Sequence, residues 1–243
     1  MIEPALPPDE AGRISTLRGL GILDTPPEER FDRITRLAQK IFSVPIAVVS
    51  LVDVNRQWFK SCQGLDASET PRGISFCGHA ILGTDVFVVE DAAVDIRFAD
   101  NPLVTGGPRI RFYAGAPLRL HNGHAAGTLC IIAPTPRKFG PRDQELLAEL
   151  ANVVIAELEN VHIAAREREL HDFIETAGAI IQSVDETGAI RMVNQAWSKA
   201  LGYSSEEVLG KNIFDFIAPG EHEHCRAVME ELKKSDAPTT VET

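Results

Sequence analysis

Ile46-Ala47-Val48-Val49-Ser50-Leu51-Val52, followed at once by Asp53-Val54-Asn55 and Arg56-Gln57-Trp58-Phe59-Lys60-Ser61-Cys62, sets the frame of the first domain. Seven nearly all-apolar residues, rich in β-branched side chains, read as a strand central enough in a sheet to be buried on both faces. The Asp-Val-Asn turn sends the chain back as a second strand. Upstream, Phe31, Ile34, Leu37, Ala38 and Ile41 mark one apolar face of a helix. Thr25-Pro26-Pro27-Glu28 before it reads as a capping box with proline in the first turn. Glu10 to Leu20 reads as a shorter helix, closed by Gly19 and Gly21.

Downstream come a loop from Asp66 to Gly73, an apolar helical turn from Phe76 to Leu82, and a third strand from Val86 to Glu90. A connection through Arg97 and Asn101 to Gly106-Gly107-Pro108 is long for a compact domain, and long connections are commonly functional. Arg111 to Leu118 reads as a strand, and Asn122-Gly123 as a hairpin turn leading into Gly127 to Ile132. Five strands joined largely by short turns, with helices before and after, predict an α+β fold: an antiparallel sheet with helices on one face. The long loops must then roof the other face, and a roofed sheet leaves a concavity of the kind that holds small ligands.

From Pro141 to Phe173 the apolar positions Leu147, Leu150, Val154, Leu158, Val161 and Ala165 recur at steps of three and four, with charges on the other faces. This predicts one amphipathic helix of about 45 Å at roughly 1.5 Å per residue. A rod of that length outruns a small domain. It is expected to join two domains and, over 141–172, to pair with its twin in a homodimer.

The formal charge of −11 disfavours surfaces that neutralise phosphate backbones or anionic lipid, so neither nucleic acid nor membrane is expected as a partner. The N-terminus MIEPALPPDE lacks a basic region followed by an apolar one, and no run of about 18 apolar residues occurs; a cytoplasmic location follows as the expectation. Cys62, Cys77, Cys130 and Cys225 have no Cys-x-x-Cys spacing and read as small buried hydrophobes without a disulfide.

Several separated blocks carry a family resemblance: Ile22-Leu23-Asp24-Thr25-Pro26, Arg56 to Ser61, Glu69-Thr70-Pro71-Arg72, Ser75-Phe76-Cys77-Gly78-His79-Ala80-Ile81, Arg111-Phe112-Tyr113-Ala114-Gly115 and Gly127-Thr128-Leu129-Cys130. Together they resemble the GAF domains of bacterial sensor histidine kinases and diguanylate cyclases, over about Leu17 to Val161. Ala133 departs from the aspartate usual in that subgroup. The signature of cyclic-nucleotide-binding members is missing, and Gly78 separates Cys77 from His79 where bilin-binding members join them. Methionine-sulfoxide-reducing members need a second cysteine on a facing loop, and Asp95 to Pro108 contains none. The resemblance implies a pocket, for which Trp58, Arg72, Phe76, Cys77, His79, Arg97, Asn101, Arg111 and Tyr113 are the candidate ligand-binding residues. Arg72 and Arg97 could clamp an acidic ligand or pair with Glu69, Glu90 or Asp95.

Beyond the helix, two short strands flank Asp185-Glu186-Thr187-Gly188, Asn194 opens a helix, and Ser204-Ser205-Glu206-Glu207 reads as a capping box. Val193-Asn194-Gln195-Ala196-Trp197 and Leu201 to Lys211 resemble the start of a PAS domain. The expected organisation is a GAF domain over 1–160, a linker helix over 141–172 and an incomplete PAS unit over 173–243, with the third PAS strand beginning at Ala237.

His222 and Cys225 share a helix face but read as solvated rather than metal-binding. No nucleotide-cradling loop, nucleophile elbow or cyclase signature is present, so no catalytic residue, metal or cofactor is expected. The implied role is a sensory input module. It would take a small molecule or protein at the GAF pocket and relay the signal through the helix to a histidine kinase; the alternatives are a diguanylate cyclase output or a redox enzyme using Cys77.

Overall fold

The computed structural model describes the backbone of residues 1–232 and the side chains of 1–160 and 170–227. Two compact units result, Met1–Ala165 and Arg166–Thr243. In the first, helices α1 (Glu10–Gly19) and α2 (Glu29–Phe42) precede strands β1 (Ile46–Val52), β2 (Arg56–Gln63) and β3 (Glu69–Pro71). There follow α3 (Phe76–Ala80), β4 (Phe87–Val89), α4 (Pro102–Thr105), β5 (Phe112–Arg119), β6 (Ala125–Ala133) and the start of α5 (Pro141–Thr176). The sheet is antiparallel, in the order β3-β2-β1-β6-β5-β4. Every residue of β1 is buried, as its apolar run requires. β3, hidden in the expected loop over Asp66 to Gly73, adds a sixth strand to the five expected.

Alternation along the strands divides the interior in two. Ala47, Val49, Leu51, Phe112, Ala114, Leu129 and Ile131 face the helices, where Phe31, Ile34, Ala38, Leu147, Val154 and Leu158 meet them. Val48, Tyr113, Cys130 and Ile132 face α3, α4 and the loops. The first half of the α5 apolar stripe is thus spent on its own sheet rather than on a twin helix. Val161 and Ala165, further along it, lie outside the described side chains.

The α2 face is rotated from the expected one. Thr35, Ala38 and Phe42 are buried with Phe31 and Ile34, while Leu37 and Ile41 are 46% and 41% exposed. Thr35 tolerates burial because its hydroxyl meets Ser61 Oγ at 2.7 Å. Thr25 does not cap α2 either, since its hydroxyl donates to Ile22 O and accepts from Lys60 Nζ, and the helix begins only after Glu28.

The second unit contains β7 (Gln182–Val184) and β8 (Ile190–Val193), then α6 (Gln195–Leu201), α7 (Ser205–Val208) and α8 (His222–Leu232). Ile190, Val193, Trp197, Val208 and Ile213 form its core. Asn194, 1% exposed, ties it together: its side chain accepts from Ile181 and Trp197 N–H and donates to the Ile174 and Ala179 carbonyls. The Ser204–Glu207 capping box forms as expected. The strand expected from Ala237 lies outside the described residues.

Candidate functional site

On the loop-covered face, strands β1, β2, β5 and β6 form the floor of a cavity of about 390 Å³. Val48, Phe59, Tyr113, Cys130 and Ile132 come from the sheet, Phe76 and Cys77 from α3, and Leu103 and Ile110 from the long connection after β4. Apolar groups dominate. Gln57, Asp66 and Thr70 put polar atoms at the wall, and Gln57 is held by its Nε2 donating to Thr70 Oγ1 at 2.6 Å. Such a site suits a small, mainly apolar molecule with a polar end.

Local structure aims the key side chains. Ser75 Oγ accepts from Gly78 N–H at 2.9 Å, capping α3 so that Phe76 and Cys77 turn under the roof. Phe76 stacks on Phe98, with ring centres 3.9 Å apart, and on Tyr113 at 5.1 Å. The Tyr113 hydroxyl donates to Cys77 Sγ at 3.4 Å. On the floor, Cys130 brings its Sγ within 3.9 Å of Cys77 Sγ. Both cysteines are free and buried, 3% and 2% exposed. The strand supplies the second sulfur that the loop from Asp95 to Pro108 lacks.

Burial pushes the Cys77 thiol up, but the hydrogen-bonding groups around its sulfur, the Cys130 thiol and the Tyr113 hydroxyl among them, outweigh that and lower its pKa. Cys130 moves the other way, raised by its contact with Cys77 and by burial. Tyr113 is raised by burial and by the two sulfurs, and so keeps its proton for donation. Cys62, half-buried on β2, is pushed up to about 11 by burial.

Of the nine residues expected in the pocket, the structure brings together Phe76, Cys77 and Tyr113 and places the other six elsewhere. Trp58 pairs with Leu51 across β2 and β1 and joins the helix-side core, while its neighbours Gln57 and Phe59 reach the cavity. Arg72 is buried against Glu10 of α1 and donates to the Asp53 carbonyl at 3.1 Å, so its partner is none of the carboxylates named for it. Arg97 is held bidentately by Asp95 at 2.9 and 2.7 Å and lies over Phe87. Arg111 is held likewise by Asp91, at 2.7 Å twice. Asn101 caps α4 and donates to the Ile74 carbonyl. His79 meets the Ile2 carbonyl at 3.0 Å, outside the cavity, and burial lowers its pKa. Sequence reading missed Cys130, Gln57 and Ile132, which only strand register could have aimed inward.

His222 Nε2 contacts the Ile217 carbonyl at 3.0 Å, and the described residues hold no cluster of three metal-ligating side chains. Among them no helix is long and apolar enough to cross a membrane.

The GAF domain family matches residues 26–158 and the PAS fold residues 168–242. A cyclic di-GMP phosphodiesterase of Pseudomonas aeruginosa is 46% identical over 159 residues, 65% of this chain but 27% of that protein. Among solved structures, the GAF domain of an Acinetobacter phosphoenolpyruvate-protein phosphotransferase is 17% identical, with 65% of this chain and 98% of that one covered at a TM-score of 0.45. A domain of a Sinorhizobium meliloti two-component sensor histidine kinase is 14% identical, with 58% and 97% covered at a TM-score of 0.46. With its roofed antiparallel sheet and the matched segments on either side of residue 160, the chain belongs to the GAF domain family and is a GAF–PAS sensory module.

Proposed function

We propose that this module is the input region of an enzyme of cyclic di-GMP turnover, with the GAF cavity as its small-molecule site. The cavity carries this reading: about 390 Å³ of mainly apolar space, walled by a few fixed polar groups and set on the reverse of the sheet to which α5 is anchored. A ligand that fits one arrangement of the sheet better than another biases α5, and the output domain reads that bias. The similarity to the Pseudomonas aeruginosa phosphodiesterase favours cyclic di-GMP output over the histidine kinase expected from sequence, although the chain spans only about a quarter of that relative.

The module works as a homodimer in this proposal. Leu146 and Val153 on α5 are 41% and 47% exposed, and with Leu37 and Ile41 on α2 they leave apolar surface for a second copy. Arg33 and Glu157, 2.8 Å apart, fasten these two helices to each other.

Native mass spectrometry of the purified protein tests both points, with retained small molecule and dimer as the expected result. Replacing Ile110 with tryptophan to fill the cavity should abolish retention and, in the full-length parent, uncouple cyclic di-GMP hydrolysis from the stimulus. A filled cavity with unchanged regulation would reject the input role.

A further inference from the structure

We propose that Cys77 and Cys130 form a redox-modification site, a buried dithiol in the cavity that small hydroperoxides convert to a disulfide. This deepens the reading of the cavity as the input site by giving that input a chemistry. The sulfurs stand 3.9 Å apart, one on α3 and the other on β6. A disulfide holds them at about 2.05 Å, so closure asks for about 2 Å of movement. That is within reach of side-chain rotation and a small shift of a five-residue helix carried by loops.

The surroundings favour reaction at Cys77. Tyr113 donates to its sulfur, and Thr128 Oγ1, fully buried, finds no hydrogen-bond partner among the described residues. The Tyr113 hydroxyl stabilises a thiolate at Cys77, the form that attacks an oxidant. The cavity bordering both sulfurs admits a molecule the size of hydrogen peroxide or a small organic hydroperoxide.

The Cys77 thiolate attacks the distal peroxide oxygen, the O–O bond breaks, and the departing oxygen takes a proton as water or alcohol, leaving Cys77 as sulfenic acid. The Cys130 sulfur then attacks Cys77 Sγ. The S–O bond breaks, hydroxide leaves with the Cys130 proton as water, and the disulfide forms. Two thiols are oxidised by two electrons, one hydroperoxide is reduced, and a cellular dithiol reverses the change. Drawing α3 onto the floor moves Phe76 and so the cavity roof, which is how oxidation would change what the sheet presents to α5.

Purified protein, treated with one equivalent of hydrogen peroxide and then with a thiol alkylator, provides the test. The expected result is a mass lower by about 2 Da before alkylation, two alkyl groups fewer after it, and a Cys77–Cys130 linked peptide that dithiothreitol removes. In Cys130→Ala, Cys77 should instead be trapped as a dimedone adduct. Tyr113→Phe should slow the oxidation about tenfold, the effect of losing one hydrogen bond to a thiolate. A wild-type protein that links Cys62 or Cys225 instead, or keeps Cys77 and Cys130 alkylatable while those two oxidise, overturns the proposal whatever the variants do. Ligand retention is read on the reduced protein, so either reading can fail alone.

Discussion

A Cβ on Gly115 would lie 2.2 Å from Tyr113 Oη, so the phenol occupies the space that only glycine leaves open two residues along β5. Gly115 pairs with Cys130 on β6, which places the Tyr113 hydroxyl over the cavity floor. Gly115→Ala should overpack the site and cost about 1–3 kcal/mol. Denaturant unfolding of Gly115→Ala, Tyr113→Phe and the double variant checks this. Because the hydroxyl is the nearest clash, the double variant should lose less than the sum of the singles.

Neighbouring leucines on α5 should behave oppositely. Leu147 is fully buried against the sheet, and Leu147→Ala should cost about 2–5 kcal/mol in unfolding free energy. Leu146, 41% exposed, should change stability by no more than about 0.5 kcal/mol as Leu146→Ala. Leu146→Glu with Val153→Glu should instead weaken the proposed dimer, read by sedimentation at falling concentration.

Glu10 gives the first unit a specific acid sensitivity. Burial raises its pKa, but the hydrogen bonds from Arg13 and Arg72 more than reverse this and hold it at about 2 against an ordinary 4.5. A depressed folded value means that the ionised carboxylate stabilises the fold fully above about pH 4.5, and that this contribution fades as pH falls toward 2. Glu10→Gln should lower stability by about 1–3 kcal/mol at pH 7 and by progressively less below pH 4.5. Melting curves of both proteins at stepped pH, converging on acidification, are the expected outcome.

Each unit contains one of the chain's two tryptophans, Trp58 in the first and Trp197 in the second. Among the described residues the second core is built from five buried side chains, Trp197 and four around it, far fewer than the first, and a small core supports little stability. Emission from Trp58→Phe should therefore report an earlier denaturant midpoint than emission from Trp197→Phe. Coincident midpoints would mean that the units unfold together.

Legibility followed how local each determinant is. β1 was readable to the residue because an unbroken apolar run has no other use, and the Ser204 box because its partners lie three residues apart. Thr25 shows the same signature but spends its hydroxyl on Ile22 and Lys60, a competition settled by tertiary structure. β3 is three residues long and too short to show a period. Arg97 takes Asp95, one of the partners its sequence neighbourhood offered, whereas Arg111 and Arg72 were misplaced because Asp91 and Glu10, brought near only by the fold, claimed them. Cys77 and Cys130, 53 residues apart, meet only once α3 folds over β6.

The alternation of β6 has a mechanical outcome. Cys130 and Ile132 touch whatever fills the chamber, while Leu129 and Ile131, bonded directly to them, press on the layer that contains Leu147, Val154 and Leu158. One ribbon of backbone is all that separates the chamber from the helix layer, and close packing on the helix side leaves little slack to swallow a displacement.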